Sequence, residues 1–130
     1  MTPAARTEAA IGLLDQILSQ PQQPADRIVA GWFRARRYAG AKDRAYITNL
    51  VYTMLRRRAE LEWALGADDV GNANSRELTM AALAVDEQLA EGEVADRFSG
   101  TEHGPAVLTE QERAKLAGDR KSTRLNSSHT

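Results

Sequence analysis

Positive charge is concentrated in one stretch of this chain, and aromatic residues lie between the cations. Residues 27–58 contain nine Lys or Arg against a single acid, Asp43, which gives the stretch a net charge of +8. The rest of the chain up to residue 118 has five basic and sixteen acidic residues, a net charge of −11. Cationic side chains bind phosphates and aromatic rings stack on unpaired bases, so this pattern is suited to RNA. A solvated, arginine-rich helix face is the alternative interpretation.

Seven cations of this stretch are our candidate RNA-binding residues. They are Arg34, Arg36, Arg37, Lys42, Arg44, Arg56 and Arg57. We predict that the first three lie at the end of a helix, where positive charge also favours the helix dipole. The next two begin the following helix, where the dipole opposes them, so an external strand of phosphates across the intervening turn would explain them. The last two lie away from the apolar stripe of that helix, whereas Arg58 falls within it and should extend along the surface or pair with Glu62.

The elements that position these cations are all predicted to be helices. Thr2 is a candidate N-cap with Pro3 at the first helical position, and Thr109 and Glu112 have the capping-box spacing. Residues 42–65 carry an apolar stripe at three- and four-residue spacing and are predicted as one long helix. No strand-like alternation persists, so the predicted fold class is all-α, a compact helical bundle. The predicted helices begin at Pro3, after Pro24, near Lys42, after Asn74 or Ser75, at Glu91 and after Thr109.

Composition limits the class of protein. The chain up to residue 118 is long enough for one domain with its own core. It has no run of eighteen apolar residues and no signal-peptide pattern, so we expect no membrane association and a cytoplasmic location. Cysteine is absent, which excludes disulfides and thiolate metal sites. We expect no DNA partner.

The last residues of the chain resemble a sequence that is not biological. Residues 119–129 read DRKSTRLNSSH, which is similar to the conceptual translation of a sequencing-library adapter. We therefore interpret residues 119–130 as a non-native tail and exclude them from the fold. Residues 1–118 are then the natural domain, and we expect the natural protein to continue beyond Gly118.

Two segments resemble a known family. Residues 30–44 (AGWFRARRYAGAKDR) and 50–58 (LVYTMLRRR) are similar to the amino-terminal NusB-like domain of bacterial RsmB/Sun (Fmu/NOP)-type methyltransferases. Residues 98–110 (FSGTEHGPAVLTE) resemble a loop of the same proteins. Those enzymes methylate C5 of a cytosine in small-subunit ribosomal RNA with S-adenosylmethionine. The resemblance covers residues 2–118 and implies an all-α bundle of the NusB antiterminator type ahead of a Rossmann-like catalytic domain, with ribosomal RNA and that catalytic domain as partners.

The chain lacks the groups that this methylation needs. The family uses cysteine thiolates as the nucleophile, and this chain has no cysteine. A glycine-rich turn between a strand and a helix is also missing, because residues 66–71 follow a predicted helix and carry two carboxylates. We therefore expect no catalytic residue, cofactor-binding residue or metal ligand in residues 1–118. S-adenosylmethionine would be bound only by the full-length parent.

Other residues that could do chemistry have simpler interpretations. Glu102 and His103 could form an acid–base pair, but neighbours in a Gly/Pro loop are more often solvent-exposed. Asp68 and Asp69 lack further spaced ligands for a cation. The acidic residues at 86–93 are interpreted as a solubilising face, with contact to the parent's catalytic domain as the alternative. Among the aromatic residues, we predict that Trp32 and Phe33 pack in the core and that Trp63 is half-exposed.

Two other functions fit the same basic stretch. One is a free-standing NusB-like antitermination factor, which binds RNA together with a ribosomal-protein partner. The other is a helical protein-interaction module whose basic face meets an acidic partner. Binding to a ribosomal RNA fragment would separate the module from the two RNA-binding functions.

Overall fold

The computed structural model describes residues 1–66 and 73–117, which form seven helices and no strand. The predicted all-α class and compact bundle are therefore confirmed. No helix of the described ranges is both long enough and apolar enough to cross a membrane. Asp68, Asp69 and the tail at 119–130 lie outside the described residues. The helices are α1 (Pro3–Ser19), α2 (Ala25–Arg34), α3 (Ala41–Arg56), α4 (Arg58–Ala64), α5 (Ser75–Val85), α6 (Glu91–Arg97) and α7 (residues 110–117).

Helix α1 is the centre of the bundle. It packs against α2, α3, α5 and α6, and α5 packs in turn against α3, α4 and α6. One face of α1 is buried, with Leu13 and Leu14 fully inaccessible to solvent. Ile47 and Met54 of α3 and Leu78 of α5 join the same core. Burial of such side chains stabilises the fold by about 1.5–3 kcal/mol each.

Three helices begin at the N-caps that the sequence predicts. The Thr2 hydroxyl accepts a hydrogen bond of 3.0 Å from the backbone N–H three residues later. Asn74 and Glu77 form a reciprocal capping box at the start of α5. Thr109 and Glu112 form another at the start of α7, with bonds of 2.9 and 3.1 Å. Each cap satisfies backbone donors that have no partner within the helix.

The prediction of one continuous helix over residues 42–65 is wrong. Helix α3 ends at Arg56 and α4 begins at Arg58, with φ of −109° and ψ of 23° at Arg57 between them. The core stripe nevertheless continues across the break, because Leu61 and Leu65 are buried. Apolar periodicity alone therefore contained no sign of the interruption.

Another helix end, that of α2, differs from prediction. Helix α2 stops at Arg34, so Arg36 and Arg37 lie in the turn before α3 and not on the helix. Helix α5 stops at Val85, and Leu89 belongs to the following loop. Gln88 in that loop has a φ of 58°, which helical backbone does not allow.

Candidate nucleic-acid interface

Two side-chain contacts connect helices α2 and α3, and we call the two helices with the turn between them the hairpin. The Tyr52 hydroxyl, late in α3, donates a hydrogen bond to the Asp26 carboxylate at the start of α2. The Arg44 guanidinium, early in α3, lies 5.6 Å from the centre of the Phe33 ring at the end of α2. Both ends of the hairpin are therefore joined by side chains. The hydrogen bond to Asp26 also raises the pKa of Tyr52, so this tyrosine stays protonated and continues to donate.

Seven cations of this hairpin and its turn have no carboxylate partner within residues 1–66 and 73–117. Six are exposed, and the seventh, Arg36, is partly buried. We call this set the hairpin cations. The structure thus brings together six of the seven predicted residues and adds Arg27, whose spacing of seven residues from Arg34 was the available sequence signal. The hairpin cations are Arg27, Arg34, Arg36, Arg37, Lys42, Arg44 and Arg56.

The seventh predicted residue, Arg57, is already occupied by carboxylates. Its guanidinium bonds Glu60 at 2.7 Å and Asp86 at 2.8 Å. These ion pairs, foremost the one to Glu60, raise the pKa of Arg57. The expectation that Arg57 is exposed and available is therefore corrected: it joins α3 and α4 to the residue that follows α5. The Nε atom of Arg58 lies 3.4 Å from Oε2 of the buried Glu62, which confirms the predicted pair.

The one acid of the basic stretch does not neutralise its neighbours. The Asp43 carboxylate accepts a 2.6 Å hydrogen bond from Arg6 of α1, and the Met1 amino group lies at 3.5 Å. The bond from Arg6 is the main cause of the lowered pKa of Asp43. Lys42 and Arg44 therefore remain without an acidic partner in the described ranges, in the first turn of α3, where the helix dipole is unfavourable to positive charge.

Arg36 is the hairpin cation that lies closest to an aromatic ring among the described residues. Its guanidinium carbon lies 3.4 Å from the centre of a Trp32 ring, and its Nη1 donates a 3.2 Å hydrogen bond to the Trp32 carbonyl. A cation stacked in this way on an indole keeps its charge and gains about 0.5–2 kcal/mol. The stack fixes the orientation of the guanidinium plane. Trp32 is partly buried and packs against the core, and Phe33 is buried within it, as predicted.

The other candidate residues of the described ranges are mostly exposed or hydrogen-bonded. Glu102 and His103 are 3.7 Å apart and 86% and 80% exposed, as expected for loop neighbours. Trp63 is 56% exposed, which confirms its prediction. In the part of the chain that the structure describes, no three His, Cys, Asp or Glu residues are grouped so that they could hold a metal ion. Of the acidic residues at 86–93, Glu87 accepts a hydrogen bond from Tyr46.

Comparison with known proteins gives no relative: no family model, curated protein or solved structure matches the chain.

Proposed function

We propose that residues 1–118 form an RNA-binding domain in which the hairpin cations bind the phosphates of ribosomal RNA. The observation that carries the proposal is that seven cations lie on one helical hairpin and have no carboxylate partner among the described residues. The chain as a whole has a net charge of −1, so this concentration of positive charge is local. Elsewhere in the fold, cations such as Arg6, Arg57 and Arg76 bind carboxylates. The hairpin therefore holds most of the cations of the described residues that remain for an external anion.

The position of Lys42 and Arg44 favours an external ligand over a merely solvated face. Each costs about 0.3–1 kcal/mol in the first turn of a helix, where the dipole repels cations. No carboxylate of the described ranges offsets that cost, because Asp43 is held by Arg6. Separate phosphates on the two sides of the turn would interact with these cations, which lie about 200° apart around the axis of α3.

The dimensions of α3 fit several consecutive phosphates. Lys42 and Arg56 are exposed and fourteen residues apart, which corresponds to about 21 Å along the helix axis and to nearly the same side of it. Arg27 and Arg34 are exposed and seven residues apart, so they provide a second row of charge along α2. Such an extended basic surface suits a polyanion better than a single small anion.

The resemblance to NusB-like domains supports a more specific proposal. In this proposal the domain belongs to a ribosomal RNA cytosine-C5 methyltransferase, and it holds the RNA while a separate catalytic domain supplies the cysteine nucleophile and the S-adenosylmethionine site. The uninterrupted gene tests this directly. We expect its sequence beyond residue 118 to encode a cofactor-binding fold with cysteines, and a stop codon at that point would contradict the methyltransferase assignment and favour an antitermination factor.

RNA binding itself is tested by fluorescence anisotropy of a labelled single-stranded ribosomal RNA fragment at several salt concentrations. The logarithm of the affinity should fall linearly with the logarithm of salt concentration, with a slope of about −0.7 for each phosphate contacted. Arg113→Ala is the control, because Arg113 is an exposed cation of α7 outside the hairpin. A protein that binds an acidic peptide but not the RNA fragment would contradict the proposal and favour the protein-interaction module.

A further inference from the structure

A cleft of about 800 Å³ lies beside the hairpin cations. It is bounded by the first half of α1, the end of α2 with the turn that follows, and the loop at residues 99–105. The proposed function does not use it, although its size is that of a small-ligand pocket. The side chains relevant to its chemistry are Glu8, Trp32, Arg36, Tyr38, Glu102 and His103.

One wall of the cleft is a fixed aromatic–cation stack. A Cβ atom at Gly12 would lie 2.7 Å from Cη2 of Trp32, so the absence of a side chain at Gly12 lets the indole approach α1 closely. On Trp32 lies the Arg36 guanidinium, at 3.4 Å from the ring centre. A guanidinium plane is one of the surfaces on which unpaired RNA bases stack.

Two further planar side chains line the cleft without being buried. Tyr38 is 74% exposed, and the His103 side chain is 80% exposed. Tyr38 directly follows Arg37 and lies in the turn that joins α2 to α3, so it is next to the hairpin cations along the chain. Exposed aromatic rings bordering a basic surface are the usual elements of single-stranded nucleic-acid binding.

The acids of the cleft determine which part of a nucleotide can enter. Glu8 and Glu102 are exposed carboxylates and repel phosphate, so the phosphates remain on the hairpin cations outside. Carboxylates accept hydrogen bonds from the exocyclic amino groups of bases, as Glu and Asp do from cytosine N4. The charges of the cleft and of the hairpin are therefore complementary to the base and to the backbone of one RNA strand, respectively.

We infer that this cleft receives one unpaired, amino-bearing base of the RNA strand whose phosphates lie on the hairpin cations. The base stacks on Tyr38, and a carboxylate of the cleft accepts a hydrogen bond from its amino group. This inference rests on the proposed function and extends it from RNA in general to single-stranded RNA.

The first experiment compares Tyr38→Ala with the wild type on single-stranded RNA and on duplex RNA. Loss of one base stack should lower the affinity for the single strand about tenfold and leave the salt slope unchanged, because no phosphate contact is lost. Duplex RNA, whose bases are paired, should bind both proteins alike. Trp63→Ala is the matched control, since Trp63 is an exposed aromatic residue outside the cleft. Equal single-strand affinities of Tyr38→Ala and wild type, or an equal loss on duplex RNA, would overturn the inference.

The second experiment removes the base in place of the side chain. A series of RNA fragments is prepared in which one nucleotide at a time is abasic. At one position the loss of the base should lower the affinity of the wild type about tenfold and leave the affinity of Tyr38→Ala unchanged. At that position cytosine should bind more tightly than uracil, which has no amino group; equal affinities would overturn the carboxylate contact. If the affinity for RNA depends on salt concentration but no abasic substitution lowers it, this inference fails and the proposed function stands. If no RNA binds at all, the proposed function fails with it.

Discussion

Arg56 and Arg57 are adjacent cations with opposite surroundings, so replacing each by alanine should change different properties. Arg56 is exposed, and among the described residues its guanidinium donates a single hydrogen bond, to the Thr53 hydroxyl at 3.4 Å. Arg57 bonds Glu60 and Asp86. We expect Arg56→Ala to weaken RNA binding with little change in stability, and Arg57→Ala to lower stability with little change in RNA binding.

The effect of Arg56→Ala on binding follows from counterion release. Loss of one phosphate contact on a single strand should reduce the magnitude of the salt slope by about 0.7. At a salt concentration of 0.1 M this corresponds to an affinity lower by about fivefold. An exposed side chain with one long hydrogen bond contributes little to folding, and its replacement should change the free energy of unfolding by less than about 0.5 kcal/mol.

The effect of Arg57→Ala on stability follows from its two ion pairs. Side-chain exposures of 29% for Arg57, 57% for Glu60 and 39% for Asp86 mean that solvent screens both pairs. Each such pair contributes about 0.2–1 kcal/mol, so the total loss should be about 1 kcal/mol. In a domain of this size that lowers the melting temperature by roughly 4 °C.

Anisotropy titrations at several salt concentrations and thermal unfolding followed by circular dichroism measure both quantities on the same proteins. Arg113→Ala should change neither. A reduced salt slope for Arg57→Ala together with an unchanged slope for Arg56→Ala would refute the reasoning, because it would mean that carboxylate pairing does not decide which cation is available to phosphate.

Three further outcomes are expected. Gly12→Ala should not show the gain of roughly 1 kcal/mol in the free energy of unfolding that alanine gives over glycine inside a helix, because the new methyl group overlaps the Trp32 ring; a variant stabilised by that amount in a denaturant titration would contradict the close packing. The bond from Arg76 lowers the pKa of Glu112 below 4.5, so the stability that this pair contributes is present above about pH 4.5 and is lost as the pH falls through the depressed pKa. Glu112→Gln should therefore be less stable than wild type at neutral pH, and the difference should shrink in acid; a constant difference would exclude this linkage. Deleting residues 119–130 should leave helix content and melting temperature unchanged, and a melting temperature lowered by several degrees would contradict the interpretation of these residues as a non-native tail.

Local features of this fold were predictable from the sequence. The N-caps at Thr2, Asn74 and Thr109 depend on side chains that reach the backbone three residues later, so a short segment contains all the relevant atoms. The pairing of Arg58 with Glu62 is likewise local, because residues four apart are neighbours on a helix.

Features that depend on residues distant in the chain were not predictable. The break at Arg57 occurs where its side chain contacts Asp86, 29 residues away, while the apolar stripe continues unchanged. That partner also removes Arg57 from the set of available cations. The cleft brings Gly12, Trp32 and His103 together from three segments, and no spacing in the sequence relates them.

The central claim, that the hairpin cations bind the phosphates of RNA, is tested most directly by removing four of them together. The variant replaces Arg34, Arg37, Lys42 and Arg44 with alanine, four exposed residues around the turn between α2 and α3. Circular dichroism should show unchanged helix content. Titration with the single-stranded ribosomal RNA fragment should give a salt slope smaller in magnitude by about 2.8 than that of the wild type. A folded variant whose salt slope and affinity equal those of the wild type would contradict the claim.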